Sequence, residues 1–395
     1  MGTKRQLASS VSEIVKRSPP GEFLDLFSGM CAVATSVASD RQVWTNDFQY
    51  FAQSVSRAHF CSEGLPLSRM DAAARVSKHY SAHILAHSEI ASQRIQAEEA
   101  ALQSENSDEL NAVYKSWHEE SALPPWQDEG GKDARLFRDT FAGAYFGLTQ
   151  AIEIDALRYA IDKCRDDDAL DEDAHLWLIL ALCVALSKCS SSTGHFAQPL
   201  TAKTANIKRF TLQRRRSIRE NWLDAVGNLS PIGSPEWRRS NRALRGDALA
   251  CLKDLSEQNG AKPAVIYADP PYTNDQYSRY YHVYDTLIRY DYPDSAGRGL
   301  YRPDREVSTF SLASQVRSSM ERLVTQCSAL GSDMVLSYPT DGLLLNSREV
   351  IPDLMRAAYG KEPEIIEIEH EHSTMGGSKG KGKHSVTEVI YRGYH

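Results

Sequence analysis

The sequence has no long apolar run, no C-x-x-C pair, no internal repeat and no low-complexity tail. Its longest apolar run is LWLILALCVAL, residues 176–186. That run is too short for the ~20 residues that cross a bilayer, so we expect a buried helix and no membrane partner. The seven cysteines form an odd set, which excludes a disulfide framework and favours a reducing, cytoplasmic location.

Three compositional zones follow one another along the chain. Residues 1–51 predict a β-α-β unit, the usual start of an open α/β sheet. Residues 52–240 are mostly helical in pattern, and residues 241–395 return to alternating strands and helices. We therefore predict a discontinuous α/β domain, residues 1–51 and 241–395, interrupted by a helical insertion at 52–240.

The first zone contains a candidate ligand loop. The strand in EFLDLFSG ends at Gly29, and a second strand, in QVWTND, ends at Asp47. A glycine there lets a ligand approach the backbone, and an acid ending the next strand is well placed for ribose hydroxyls. A dinucleotide loop has three glycines, whereas this one has Gly29 alone, so by itself the loop also fits a plain tight turn.

The third zone supplies further strands. Predicted strands lie before Gly246-Asp247, in VIYA before Asp269, in DMVLSYP (333–339), in EIIEIEHEH (364–372) and in VTEVIYRG (386–393). The last two are expected to pair as an antiparallel edge hairpin. The connecting loop carries Lys379, Lys381 and Lys383, which fit phosphate clamping; a disordered hairpin tip is the alternative.

The stretch Asp269-Pro270-Pro271-Tyr272 predicts a pocket for an amino-substituted base. Ligands of open α/β sheets bind beyond the carboxyl ends of the strands. Proline has no N–H, so the Pro270 carbonyl and the Asp269 carboxylate stand as two acceptors for the two hydrogens of an exocyclic amine. The Tyr272 ring offers a stacking face. A base in duplex DNA must be flipped out to reach such a pocket.

Positive charge is concentrated before the third zone. Residues 201–245 contain eleven basic and three acidic residues, in a chain with a net charge of −7. This favours a polyanion surface, with a solvated helix face as the alternative. The DNA-binding candidates there are Lys208, Arg209, Arg214, Arg215, Arg216 and Arg219.

Two further patterns have competing interpretations. Tyr277, Tyr280, Tyr281 and Tyr284 follow the tetrad at helical spacing, which fits core packing or a rim beside a flipped nucleotide; Asp275 and Gln276 are expected to hold the intervening turn. His79, His83 and His87 share a helical face, but nothing nearby completes a metal site, and we predict no metal.

Together these motifs resemble the D12 (alpha-type) class of S-adenosylmethionine-dependent DNA adenine-N6 methyltransferases. The tetrad at 269–272 matches the catalytic motif of that class, and FLDLFSG matches its cofactor loop. AYFGLTQAIEIDALRYAID and TGHFAQPL resemble its helical stretches, and the order of loop, insertion and tetrad is the alpha order. The resemblance covers most of the chain. It implies a Rossmann-like class I methyltransferase sheet.

The resemblance also implies residue roles. The catalytic residues would be Asp269, Pro270, Pro271 and Tyr272. The S-adenosylmethionine contacts would be Lys4, Asp25, Phe27, Ser28, Gly29, Asp47, Asp247 and Asp269. Cys31 stands where the family usually has glycine. The first tetrad residue separates related chemistries. A tetrad that begins with asparagine resembles those of enzymes that methylate protein glutamine or adenine in ribosomal RNA, and one that begins with serine resembles those of cytosine-N4 methyltransferases. Aspartate at this position favours adenine in DNA.

The predicted function is site-specific adenine methylation of double-stranded DNA, in a restriction-modification or defence setting. The helical insertion would recognise the target, and a cognate restriction nuclease or another defence protein is a candidate partner. Two alternatives stay open at this point: a methyltransferase of the same fold that acts on RNA or protein, and a non-catalytic DNA-binding protein.

Overall fold

The computed structural model of the chain describes residues 4–121, 134–372 and 384–395. Within these residues the chain forms two compact units. The sheet unit comprises residues up to Glu63, Pro231–Ser278 and Glu306–His395, and the helical unit comprises Gly64–Ser230 and Arg279–Arg305. By this division the sheet unit extends to Glu63 and resumes at Pro231, while the domain bounds at residues 51 and 241 stay a prediction from the sequence.

The sheet unit is built on a seven-stranded mixed sheet with the order β3-β2-β1-β4-β5-β7-β6. The first five strands in that order are parallel, and β7 is antiparallel to both β5 and β6. This confirms the predicted Rossmann-like α/β fold and the terminal hairpin. The strands are β1 (Phe23–Asp25), β2 (Val43–Asp47), β3 (Arg242–Arg245), β4 (Val265–Ala268), β5 (Asp333–Pro339), β6 (Glu364–His372) and β7 (His384–Gly393).

Helices, numbered along the whole chain, complete the sheet unit. The main apolar cluster joins β1, β4 and β5 to three helices, α13, α15 and α16. Central strands such as β4 and β5 are buried along their whole length because helices cover both faces of a parallel sheet. The helices of this unit are α1 (Lys4–Val15), α2 (Ala32–Val37), α3 (Tyr50–Ser56), α12 (Pro235–Arg238), α13 (Ala248–Glu257), α15 (Val316–Ala329) and α16 (Ser347–Tyr359), with a π-helical turn Arg57–Cys61 and a 3₁₀ turn Thr309–Ser311.

The helical unit confirms the predicted helical character of the insertion. The apolar run at 176–186 lies within α9 and is largely buried. No helix in the described ranges has the length and apolar character needed to cross a membrane. The helices are α4 (Arg69–Ile90), α5 (Ser92–Gln103), α6 (Ser107–Ser121), α7 (Leu136–Thr140), α8 (Leu148–Asp166), α9 (Glu172–Cys189), α10 (Ile207–Arg214), α11 (Ile218–Val226) and α14 (Ser278–Arg289).

The segment Arg279–Arg305 groups with the helical unit although it follows the tetrad at 269–272 in sequence. An ion-pair cluster holds part of it. The buried Arg302 guanidinium donates to both carboxylate oxygens of Asp291, at 2.6 and 2.8 Å, and to Asp304. Hydrogen bonding to Arg302 lowers the pKa of Asp304 to about 2, so the cluster stays charged at neutral pH.

Candidate active site

Three neighbouring strand ends bring the predicted site residues to one edge of the sheet. In the register of the parallel strands, Thr45 of β2, Asp25 of β1 and Tyr267 of β4 lie side by side. Two residues beyond that row are Asp47, Phe27 and Asp269, respectively. The sheet register therefore aligns the acid of the second strand, the predicted cofactor loop and the first tetrad residue.

The loop after β1 is tied to the end of β2. The Gly29 N–H donates to Oδ2 of Asp47 at 3.0 Å, and Oδ1 of Asp47 accepts from the Gln49 N–H at 3.0 Å. Gly29 has a φ of +48°, and a Cβ placed there would meet no atom within 4 Å. The glycine thus supplies a left-handed turn beside open space.

Cys31 lies in a left-handed backbone conformation, which glycine adopts more readily than other residues. Its φ is +59° and its ψ is +29°, the left-handed region, and its N–H donates to the Ser28 carbonyl at 2.6 Å. Burial raises the pKa of the Cys31 thiol far above neutrality, with Asp25 and Asp47 adding to the effect, so the thiol stays protonated and unreactive. All seven cysteines are free thiols.

Asn46 cross-links the ends of three strands, a feature that sequence reasoning missed. Its Nδ2 donates to the carbonyls of Leu26 at 3.2 Å and Gly246 at 3.1 Å. Its Oδ1 and the Oγ of Ser28 are buried and have no hydrogen-bond partner among the described residues. A polar residue in a buried strand was the available signal. The Asn46 Oδ1 and Ser28 Oγ atoms could therefore accept hydrogen bonds from a ligand at the same edge as Gly29.

The other predicted cofactor acids have backbone partners. Asp25 is buried, and its Oδ2 accepts from the Ala34 N–H of α2 at 3.3 Å. Asp247 caps α13, because its Oδ1 accepts from the N–H groups of Leu249 and Ala250 at 3.0 and 3.1 Å. The Gly246 N–H donates to the Asp47 carbonyl at 3.1 Å, so Gly246 and Asp247 lie next to the end of β2.

Tyr272 of the tetrad is held at several points. Its carbonyl accepts from the Leu343 N–H at 2.9 Å, its ring packs against the main apolar cluster, and its hydroxyl is hydrogen-bonded to Tyr277. Burial raises the pKa of Tyr272, so its hydroxyl stays neutral. Asp269 is buried, at 7% exposure, directly after β4.

A short segment at 306–311 stabilises the turn after the tetrad. Gln276 brackets the Ser308 backbone, accepting from its N–H at 2.8 Å and donating to its carbonyl at 3.4 Å. The Asp275 carbonyl accepts from the Ser311 hydroxyl at 3.3 Å. The prediction that Asp275 and Gln276 hold this turn is confirmed. Phe310 of the same segment packs edge-on against Phe27 with ring centroids 5.4 Å apart, which connects the turn to the predicted cofactor loop.

The four tyrosines after the tetrad do not form one helical face. Tyr277 precedes α14 and belongs to the sheet unit. Tyr284 is buried against Phe196 in the helical unit, with ring centroids 4.8 Å apart. Tyr280 is half-buried and lies 4.6 Å from the His195 ring. Tyr284 is therefore a core residue, and the rim role of Tyr280 stays a prediction.

The predicted basic island is divided between the units. Arg214 is 5% exposed, and its guanidinium lies over the rings of Phe210 and Tyr114 and donates to the Ala144 carbonyl at 2.8 Å. Arg214 is therefore removed from the DNA-binding candidates, since a phosphate contact needs an accessible cation. Arg219 is half-buried and lies beside Glu220 and the Tyr80 ring. The exposed candidates are Lys208, Arg209, Arg215 and Arg216.

Several predicted residues fall outside what the structure describes. Lys4 begins α1, but its side chain is not among those described. Lys379, Lys381 and Lys383 lie outside the described residues. Their predicted contacts with cofactor and phosphate stay predictions.

The histidines of α4 have structural partners. His79 lies 3.1 Å from Asp167, and the rings of His83 and His87 stack with centroids 4.0 Å apart. Arg138 donates to Nδ1 of His87 at 2.5 Å. Within the described ranges, no group of three or more His, Cys, Asp or Glu residues could hold a metal ion.

Comparison with known proteins decides which family this arrangement represents. The model of the D12 class N6 adenine-specific DNA methyltransferases matches residues 1–229 and 245–329. The chain belongs to this family. The match includes the loop after β1 and the tetrad after β4, so the D12 assignment covers both parts of the candidate site.

Relatives of this D12 chain are bacterial modification enzymes. Modification methylase LlaI of Lactococcus lactis subsp. lactis is 23% identical over 99% of this chain and 54% of its own length. Type II methyltransferase M.FokI of Planomicrobium okeanokoites is 22% identical over 87% of this chain and 45% of its own length. The chain therefore spans about half the length of these relatives. No solved structure shows a significant match.

Proposed function

We propose that this chain transfers a methyl group from S-adenosylmethionine to N6 of an adenine flipped out of duplex DNA. The observation that carries the proposal is the sheet register, which aligns Asp47, the Gly29 loop and Asp269 at the carboxyl edge of adjacent strands. A methyl donor on the loop and a base at the tetrad would then lie next to each other.

The residues at this edge fit S-adenosylmethionine. The Oγ of Ser28 and Oδ1 of Asn46 are buried acceptors without partners among the described residues, and the space beside Gly29 is open. Each carboxylate oxygen of Asp47 accepts one backbone N–H, and Asp47 would accept from ribose hydroxyls as well, because each oxygen of a carboxylate can accept more than one hydrogen bond. S-adenosylmethionine supplies an activated methyl group when bound. Phe27 would border its methionine end, and Asp247 would lie towards its adenine.

The tetrad would hold the target adenine through its amine. Asp269 and the Pro270 carbonyl would accept the two N6 hydrogens, which exposes the nitrogen lone pair. Tyr272 would stack on the base, and its ring is held in place by Tyr277 and the Leu343 amide. The Asp269 carboxylate would also stabilise the positive charge that develops on the amine. Positioning supplies most of the acceleration because the donor is already activated.

The helical unit would supply DNA contacts through the exposed cations Lys208, Arg209, Arg215 and Arg216. Both named relatives are modification methylases or type II methyltransferases by name. These names support a restriction-modification setting for the proposed activity, with a cognate nuclease or another defence protein as the proposed partner.

The test is transfer of labelled methyl from S-adenosylmethionine to duplex DNA, RNA and protein in parallel reactions. We expect label in N6-methyladenine of duplex DNA. The Asp269→Ala variant should leave S-adenosylmethionine binding largely intact and lose transfer, while Asp254→Asn, which alters an exposed carboxylate on α13, should retain transfer. Label in RNA or protein alone, or turnover by Asp269→Ala, contradicts the proposal. Long-read mapping of methyladenine in cells expressing the chain would then give the recognition sequence.

A further inference from the structure

One face of helix α10 is buried and packs against the rest of the helical unit. Ile207 and Phe210 pack in an apolar cluster with Leu102, Leu110 and Tyr114. The buried Arg214 guanidinium lies 4.6 Å from the centroid of the Phe210 ring and 5.3 Å from that of Tyr114. These contacts fix the rotation of α10, so its opposite face is presented to solvent in a defined orientation.

That opposite face combines four cations with one exposed leucine. Leu212 is 68% exposed. Leu212 lies four residues after Lys208 and three after Arg209. Arg215 and Arg216 lie three and four residues after Leu212. Residues three and four apart are neighbours on a helix, and Arg215 and Arg216 lie just past its end. Among the described residues, none of these four cations forms an ion pair. The Arg216 guanidinium donates to the Lys188 carbonyl at 2.6 Å, a neutral partner that leaves its charge uncompensated. All four charges are therefore available to a polyanion.

A leucine at the centre of such a face is not explained by phosphate binding. Phosphates are bound by lysine, arginine, hydroxyl and backbone N–H groups. An apolar side chain contributes favourable binding free energy only where it is buried against another apolar surface. On DNA base edges that surface is the 5-methyl group of thymine, which is displayed in the major groove. The major groove also has the width to admit an α-helix, whereas the minor groove does not.

We propose that α10 lies in the DNA major groove, with its four cations on the flanking phosphates and Leu212 against the 5-methyl group of a thymine in the recognition sequence. This inference rests on the proposed function and assigns sequence reading to one residue of the helical unit. Leu212 would act as a specificity-determining residue.

Uracil-substituted DNA tests the contact without knowledge of the recognition sequence. Duplexes of identical sequence are made by polymerase chain reaction with dTTP or with dUTP, which differ only by the 5-methyl group. Methyl transfer is measured on both by kcat/KM, for the unaltered chain, for Leu212→Ala and for Leu85→Ala. Leu85 is a matched control because it is 69% exposed on α4 of the same unit, where the neighbouring exposed residues are uncharged or acidic.

We expect the unaltered chain and Leu85→Ala to lose about fourfold or more on uracil DNA, the effect of one buried methyl group. Leu212→Ala should be slower on thymine DNA and should not distinguish the two duplexes. Its melting temperature should be unchanged, because Leu212 is exposed. Equal rates of the unaltered chain on both duplexes, or the same thymine preference in Leu212→Ala, overturn this inference alone. Absence of transfer to thymine DNA overturns the proposed function as well.

Discussion

The main-chain N–H of Gly29 donates a hydrogen bond to Oδ2 of Asp47 at 3.0 Å, which joins the loop after β1 to the acid that ends β2. The other oxygen of the same carboxylate accepts from the Gln49 N–H. One carboxylate therefore organises both predicted cofactor elements, and any change in it alters the loop as well as the acid.

Asp47→Asn should weaken cofactor binding and stability together. An asparagine has one side-chain acceptor, so its NH₂ group must face either the Gly29 or the Gln49 N–H. We expect a loss of about 1–3 kcal/mol in the free energy of unfolding, the cost of an unsatisfied buried donor, and at least a tenfold loss of S-adenosylmethionine affinity. Denaturant unfolding and titration calorimetry measure the two effects. Unchanged affinity would show that Asp47 is not a cofactor residue.

Gly29→Ala tests whether the space beside Gly29 is used by the cofactor, once the cost of backbone strain is accounted for by a control variant. An alanine at a positive φ costs about 1 kcal/mol, and its Cβ would project into the open space beside the loop. Gly331 is a matched control in the same unit, with a φ of +75° and an equally open surrounding. Both variants should lose similar stability, but only Gly29→Ala should lose affinity for S-adenosylmethionine by calorimetry. Equal affinities in the two variants would contradict the proposed cofactor site.

Tyr277→Phe should slow catalysis without weakening cofactor binding. The change removes the hydrogen bond to the Tyr272 hydroxyl, and with it about 1 kcal/mol of support for the stacking ring. We expect kcat to fall by about 3- to 10-fold, while KM for S-adenosylmethionine stays constant. Tyr394→Phe removes a hydroxyl at the end of the chain and should leave both constants unchanged. A rise in KM for the cofactor with constant kcat would assign Tyr277 a different role.

Asp155 should make the stability of the helical unit decrease between acid and neutral pH. It accepts from the N–H groups of Phe137 and Arg138 at 2.9 and 2.8 Å and from the Tyr290 hydroxyl at 2.5 Å, yet burial raises its pKa to about 7. Between the ordinary aspartate value near 3.9 and pH 7, the folded state holds a proton that the unfolded chain has lost. Its stabilising contribution is therefore present in acid and lost as the pH rises.

The slope expected from this single proton is at most about 1.4 kcal/mol per pH unit. Asp155→Asn cannot lose a proton, so the free energy of unfolding should fall less steeply from pH 4.5 to 7 in this variant. Subtracting the two profiles removes the contributions of the other carboxylates. Parallel profiles would show that Asp155 titrates normally in the folded state.

The local motifs predicted the strands with few errors. DMVLSYP is the whole of β5, and the alternating pattern at 364–372 is the whole of β6. The tetrad and the Gly29 loop were recognisable because their chemistry depends on neighbouring residues in sequence. The alignment of Asp47 with Asp269 followed from the general rule that carboxyl ends of parallel strands share an edge.

Contacts between distant segments were not predictable from those patterns. Arg214 had the same appearance in sequence as Arg215, but the Tyr114 ring, a hundred residues earlier, makes it a core residue. The support of the tetrad turn by Ser308 depends on a segment with no motif of its own.

The amino-acid sequence by itself determined the α/β class, the family and the identity of the tetrad, because strand periodicity and a four-residue motif are local properties. The tertiary structure alone decided which cations reach solvent, which groups position Tyr272, and that residues 279–305 pack with the helical unit. Whether a side chain is buried or hydrogen-bonded depends on which distant segments pack together. The periodic pattern of residues along the sequence does not carry that information.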